Sequence, residues 1–324
     1  MTPDVVAKRG FRSQILVRVL VAFCATVLIW ATPPPVPAAE EAAAPEATTE
    51  VKDLPLLVQV HTFPAEGTLG YVAIGIAVPA RDLRRRLQDV GAGDEACTLF
   101  GRAEIRDEAA RAAMGKDVAE RRFRVPLELG NLLRPGIVQR HTGLLLPPGE
   151  WRLEAGLLLG ANAATRLHEV SFSVPTFGAG GLAISTPVFA RSVELVDANE
   201  ARGQGRSERT TELLDLGFAR LAPFPSPVFT EEDAPELFYL VSGATLKGVP
   251  GEADLTVTYL FYKGTDPVAQ IPPQNLKSTT IGQPLPIAQL GLPAGDYGLR
   301  LILRDNPSGA IVDRTEPMRI VAKD

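Results

Sequence analysis

From Leu56 onward the chain carries short apolar runs separated by turn residues. Val170, Phe172 and Val174 alternate with Ser171 and Ser173. Further on, Leu255, Val257, Tyr259 and Phe261 alternate with Thr256, Thr258, Leu260 and Tyr262. A period of two turns one side of a strand inward, and Thr, Val, Tyr and Phe suit a pleated, half-buried surface. LLVQVHTF, from Leu56, is mostly apolar, and YVAIGIAVP ends at Pro79, as a strand often does. The pattern predicts an all-β chain. Two stretches resist it: Arg81–Val90 and Arg106–Phe123 are rich in Ala, Arg and Glu. The second contains Gly115 and lacks a broad apolar stripe, so both read as loops with at most a helical turn.

A repeated phrase organises these strands. GLLLPPGEWRLEAGLLLG fills 143–160, and a weaker copy, GLPAGDYGLRLILRD, fills 291–305. Leu146 aligns with Leu292, Pro147 with Pro293, Gly149 with Gly295, Glu150 with Asp296 and Trp151 with Tyr297, an offset of 146 residues. That spacing is the size of a domain and too long for a solenoid repeat. Proline fixes φ in a turn and glycine supplies a conformation that other residues resist. An inward row then begins at the aromatic: Trp151, Leu153, Ala155 and Leu157 in one copy, Tyr297, Leu299, Leu301 and Leu303 in the other. Trp and Tyr fit the first place because the ring buries while the polar tip finds a backbone partner. This turn before a late strand resembles that of exported immunoglobulin-like sandwiches, which implies two tandem antiparallel β-sandwiches of that kind, at 55–197 and 222–324. A polar linker at 198–221 joins them, and the three prolines of Ala222–Phe229 keep the entry to the second extended.

The N-terminus changes the setting. Lys8, Arg9, Arg12 and Arg18 precede the apolar run Val19–Ala31, and a small-residue site follows at Val36-Pro37-Ala38. This is the layout of a signal peptide over 1–38, cleaved near Ala38, with an apolar core short for a transmembrane span; an uncleaved anchor is the other reading. Residues 39–54, rich in Ala, Glu, Pro and Thr, read as a flexible tether. Cleavage removes four basic groups and one acidic, leaving 29 against 37 and a net charge of −8. The expected product is an acidic periplasmic or secreted protein with no transmembrane domain in the mature chain. With no cluster of Lys and Arg to neutralise phosphates, nucleic acid is not an expected partner. Only Cys97 remains after cleavage; it opens the apolar run CTLF and reads as a small buried hydrophobe in preference to a reactive thiol.

Catalytic and ligand-binding patterns are thin. His61, His141 and His168 share no metal-ligand spacing, so no metal or cofactor is expected. No Gly-x-Ser-x-Gly elbow and no phosphate-loop Gly-Lys-Ser/Thr occur, and Gly178–Gly181 lead into a strand-like LAIS, a bend and not a phosphate cradle. The carboxylates Asp94/Glu95, Glu231/Glu232 and Glu236 could form an acid–base pair only if the fold set them across a cleft; in loops they keep the surface solvated. Asp266 and Asp305-Asn306 offer oxygen ligands for calcium, but Asp and Asn are also ordinary turn formers, as in DNPSG. No catalytic, cofactor-binding or metal residue is assigned.

YVAIGIAVPARDL, LLLPPGEWRLEAGL, SFSVPTFGAGGLAIST, FYLVSGA and LPAGDYGLRLIL follow in an order that resembles the C-terminal tandem β-sandwich region of Acidobacterial VWFA-related proteins, over about residues 55–324. The Asp-x-Ser-x-Ser adhesion motif of a von Willebrand A domain is absent, so metal-dependent adhesion is not implied. The expected function is non-enzymatic: an unknown protein or cell-surface partner held by edge strands and end loops. The alternative is an accessory carbohydrate-binding or glycan-processing protein. Against it, the chain is only 6% aromatic, and its two tryptophans fall in the leader and in a predicted core.

Overall fold

The computed structural model describes residues 49–51, 54–65, 67–93, 97–127, 136–161, 163–178, 181–196, 212–248 and 251–322. The leader and most of the tether lie outside these residues. No helix among the described residues is long and apolar enough to cross a membrane.

The first nine strands are β1 (Thr49–Val51), β2 (Leu57–Pro64), β3 (Gly70–Pro79), β4 (Cys97–Ile105), β5 (Glu120–Pro126), β6 (Ile137–Leu146), β7 (Gly149–Leu159), β8 (Ala163–Thr165) and β9 (His168–Val174). They form two sheets: β2-β3-β6, and β1-β8-β7-β4-β5 with β9 also against β7. Between them lies a core that includes Val72, Ile74, Leu99, Trp151 and Leu153. The next strands are β10 (Ala183–Ile184), β11 (Val188–Leu195), β12 (Leu214–Asp215), β13 (Ala219–Pro223), β14 (Val228–Thr230), β15 (Glu236–Ser242), β16 (Leu246–Lys247) and β17 (Glu252–Ala253). The last are β18 (Leu255–Lys263), β19 (Asp266–Leu276), β20 (Thr280–Pro284), β21 (Gly295–Asp305) and β22 (Ile311–Val321). They give the sheets β10-β15-β11-β13-β12, with β20 on the far side of β15, and β14-β22-β21-β18-β19, and β16 and β17 pair only with each other among the described residues. A second core joins this pair through Leu237, Tyr239, Tyr259, Leu299 and Leu301.

The same pairing recurs in both halves. β4-β7-β9 corresponds to β18-β21-β22, and β2-β3-β6 to β11-β15-β20, all antiparallel. That is the immunoglobulin- or fibronectin-like sandwich arrangement. The inward rows fall as their period predicts: Trp151, Leu153, Ala155, Leu157 and Leu255, Val257, Tyr259, Phe261 are all fully buried.

Several pairings depart from the sequence expectation. β10 and β11, expected with residues 55–197, pair with β15, and β11 also pairs with β13. Part of the stretch read as linker is strand: β12 and β13 form an antiparallel hairpin, while 197–211 lie outside the described residues. Charge and glycine density in 198–221 masked two short apolar pairs, Leu214/Leu216 and Ala219/Leu221, that burial rewards. The stretch read as tether likewise ends in structure, with β1 parallel to β8 and Leu54 in the first core. A parallel edge strand needs only backbone groups, which composition does not announce.

The Ala/Arg-rich segments are helices. Ala80–Asp89 (α1) buries Ala80, Leu83 and Leu87 along one stripe. Glu108–Met114 (α2) starts where the Asp107 carboxylate accepts from the amides of Ala109 and Ala110 at 2.8 and 3.2 Å. Lys116–Ala119 (α3) runs straight into β5. The stripe of α1 is only three residues wide, and an N-capped helix with no buried residue leaves no periodic signal.

β3 explains how the halves meet. Val72, Ile74, Ile76 and Val78 fill the first core, while Ala73, on the opposite side of the strand, enters a third one. That third core contains Phe63, Ala73, Val188, Leu221 and Phe238, so the outer side of β2-β3-β6 packs on the outer side of β11-β13-β15. The four larger sheets stack as layers with three cores between them.

Candidate functional site at the junction of the sheet pairs

The strand alternation that sends Val58 and Val60 into the first core sends Gln59, His61 and Phe63 toward the third. On β3 the same side carries Tyr71, Ala73 and Gly75, and on β6 His141 and Gly143. The small residues make room for the rings. A Cβ on Gly75 would sit 3.0 Å from His141 Nδ1, and one on Gly143 would fall 2.3 Å from the Tyr71 ring.

β2 is an edge strand, and its free edge is taken by the chain entering the second half. The Thr186 amide donates to the Thr62 carbonyl at 2.9 Å. The Thr62 amide donates to Thr186 Oγ1 at 3.1 Å, and the two hydroxyls lie 2.9 Å apart. Gln59 Nε2 donates to the Phe224 carbonyl at 3.2 Å, and Arg191 lies over the Phe224 ring at 4.7 Å. Arg314, on β22, donates to Thr186 Oγ1 at 3.4 Å and pairs with Glu316. Arg140 pairs with Glu212 at 3.3 Å. Between these groups lies a partly open cavity of about 170 Å³, walled mainly by Gln59, His61, Pro187, Phe224, Glu316 and Pro317.

His61 and His141 are both buried, and none of their four ring nitrogens has a hydrogen-bond partner among the described residues. Burial, aided by the charge of Arg314, lowers the His61 pKa to about 4. Burial, then His61 and Arg140, lowers that of His141 to about 3. Both rings are neutral at pH 7 and cannot shuttle protons there. The sequence pattern did not single out this pair: residues 61 and 141 are 80 apart and meet only because both flank β3. A usable signal was present in YVAIGIAVP, whose apolar character on both sides marks a strand covered twice.

The remaining candidates are not gathered with them. His168, half-buried, pairs with Ala155 in the other sheet. Cys97 is buried in the first core, and burial raises its thiol pKa to about 12, as expected of a small hydrophobe. Asp94 and Glu95 lie outside the described residues. Glu231 and Glu232 are exposed in the turn after β14, and Asp266 is exposed at the start of β19. Half-buried Glu236 leans over Gly282, and desolvation raises its pKa. Of Gly178–Gly181, Gly178 has φ +75° and Gly181 lies just before β10, while 179 and 180 lie outside the described residues.

Asp305 is a turn organiser. Its Oδ2 accepts from the Thr245 amide at 3.3 Å, from Thr245 Oγ1 at 2.7 Å and from the Ser308 hydroxyl. Burial opposes its charge, but the hydrogen bonds from Ser308 and Thr245 outweigh it and lower its pKa. Asn306 Nδ2 donates to Asp254 at 2.8 Å, tying this turn to the start of β18. No cluster of three or more His, Cys, Asp or Glu among the described residues could hold a metal ion.

Trp151 and Tyr297 are structural. Trp151 Nε1 donates to the Pro147 carbonyl at 3.1 Å, and the Tyr297 hydroxyl to the Pro293 carbonyl at 2.5 Å. Each aromatic closes onto the carbonyl four residues before it, the tyrosine-corner geometry.

No family model and no curated protein matches the chain. Among solved structures, one of the receptor tyrosine kinase Torso, described as the structural basis of its neurohormone perception, aligns over 84% of this chain and 76% of its own at 7% identity, with a TM-score of 0.20. The chicken CNTN1 FN1–FN3 domains align over 86% and 68% at 8% identity, with a TM-score of 0.22. Likenesses that slight say nothing about function; the fold assignment rests on the strand pairing above.

Proposed function

We propose that the protein is an exported, non-enzymatic pair of tandem β-sandwich domains that mediates protein–protein or cell-surface contact. Cleavage near Ala38 would release it to the periplasm or beyond, and the order of its strand phrases supports kinship with the Acidobacterial VWFA-related proteins. The observation that carries the reading is the distribution of side chains over the accessible surface. Among the described residues no aromatic side chain is exposed. The outer side of β4, β5 and β7 is a ladder of internally paired charge: Arg102 with Glu154 at 2.9 Å, Arg122 with Glu120 at 2.8 Å, and Arg152 with Glu104. A sugar-stacking platform needs exposed rings, so the carbohydrate-binding alternative has the weaker support. Edge strands and end loops are left to make contacts, and β5 carries Arg121, Arg122 and Arg124 at an accessible edge of its sheet.

Affinity capture with the full chain from envelope extract tests this. Specific retention of a protein that is lost in R121E/R124E supports contact through β5. Retention unchanged by that substitution contradicts the edge-strand mechanism. Specific retention on glycan contradicts the reading in favour of the alternative. Cell fractionation that found the full-length chain in the cytoplasm would contradict export.

A further inference from the structure

We infer that the junction between the two sheet pairs is an acid-released latch: on acidification the pairs separate at the third core while each keeps its own core. His61 and His141 lie in this junction with all four ring nitrogens buried and without hydrogen-bond partners among the described residues. A proton added to either ring in the closed junction meets no acceptor among the described residues. The charged and titratable groups around them make matters worse. β6 contributes Arg140, β22 contributes Arg314, and His141 also faces His61. The carboxylates within reach are already committed, Glu316 to Arg314 and Glu212 to Arg140. β3 contributes Tyr71, β11 contributes Arg191 stacked on Phe224, and Glu236 on β15 leans over Gly282. The segment entering β11 brings the Thr186 hydroxyl, and the Ser185 hydroxyl beside it is held by the Thr186 carbonyl and the Leu240 amide.

Opening the junction gives both rings to water. It costs the Thr62–Thr186 hydrogen bonds and the contacts of the third core, but leaves the first and second cores as separate clusters. The direction of the pH effect follows from the two states. In the open state each histidine titrates near its ordinary value of 6.5, and in the closed state near 4 for His61 and 3 for His141. Closure is therefore fully favoured above pH 6.5, and the preference erodes as pH falls from 6.5 toward 4 and then 3. At pH 5 this linkage raises the open population by up to about 10³-fold relative to pH 7.5. The device is independent of what the protein binds.

Small-angle X-ray scattering on the full chain from pH 7.5 to 4.5, with hydrogen exchange corrected for intrinsic rates, tests the latch. The expected result is a rise in radius of gyration below pH 6.5 and loss of protection at the Thr62 and Thr186 amides, while β7 and β21 stay protected. H61L/H141L should flatten the pH profile. R314Q, which removes a cation from beside His61 and frees Glu316, should move the opening to lower pH. A junction that stays closed at pH 4.5 overturns the proposal. So does joint loss of protection in β7, β21 and the junction, or an R314Q midpoint that is unchanged or moves to higher pH.

Discussion

The turns at Trp151 and Tyr297 do one job with two backbones. In both, a Leu-Pro-x-Gly-acidic phrase brings an aromatic donor onto the carbonyl four residues earlier, and a buried row follows. In the first, β6 runs to Leu146 and the corner follows at once, with Gly149 at φ +147°. In the second, a short helix, Ile287–Leu290 (α4), stands between β20 and the corner, and the unusual conformation has moved to Gly291 at φ +63°, which caps that helix. Gly295, the residue aligned with Gly149, is not among the positive-φ glycines. Aligned letters thus mark a shared contact without sharing its backbone solution. What is kept is the ring, its donor and the carbonyl that receives it.

The largest effect expected on this comparison comes from removing the ring. Trp151→Ala should destabilise the first sheet pair by about 3–5 kcal/mol, because the side chain is fully buried in the core. Denaturant unfolding reads this, and near-wild-type stability would make Trp151 a surface residue. Next comes the glycine contrast. Gly149→Ala should cost about 1–3 kcal/mol, since its φ disfavours an L side chain and the new Cβ would sit 2.9 Å from Ile105. Gly295→Ala, whose Cβ would find nothing nearer than 3.6 Å, should stay within about 0.5 kcal/mol. Equal costs at the two positions would abolish the distinction between the turns. Smaller again, Tyr297→Phe removes one hydrogen bond and should cost about 1 kcal/mol in thermal melting. The smallest effect is Arg102→Ala on the paired charge ladder, below about 1 kcal/mol and shrinking with added salt.

Much of the fold could be read from period two alone. The rows at 151–157 and 255–261 and the roles of Trp151, Tyr297 and Cys97 lie where alternation and residue type place them. The misses share a physical cause, which is that partners distant in sequence decide them. β11 looks like any short strand, and only the neighbouring β15 shows to which half it belongs. α1 is helical on a stripe of three apolar residues packed under β3. The junction was hidden for a related reason. Scanned for ligand spacing, His61 and His141 are isolated, yet both sit beside β3, whose two apolar sides told of a second covering layer.

The halves are not beads on a linker but are joined by a third core. Hydrogen exchange at the Thr186 amide at pH 7.5 tests it most directly, because that proton is donated across the junction to the Thr62 carbonyl. The stack predicts protection well above that of an open loop, lost when Phe238→Asp places a charge in the third core. Exchange at the rate of an unstructured peptide in the unsubstituted protein would contradict it.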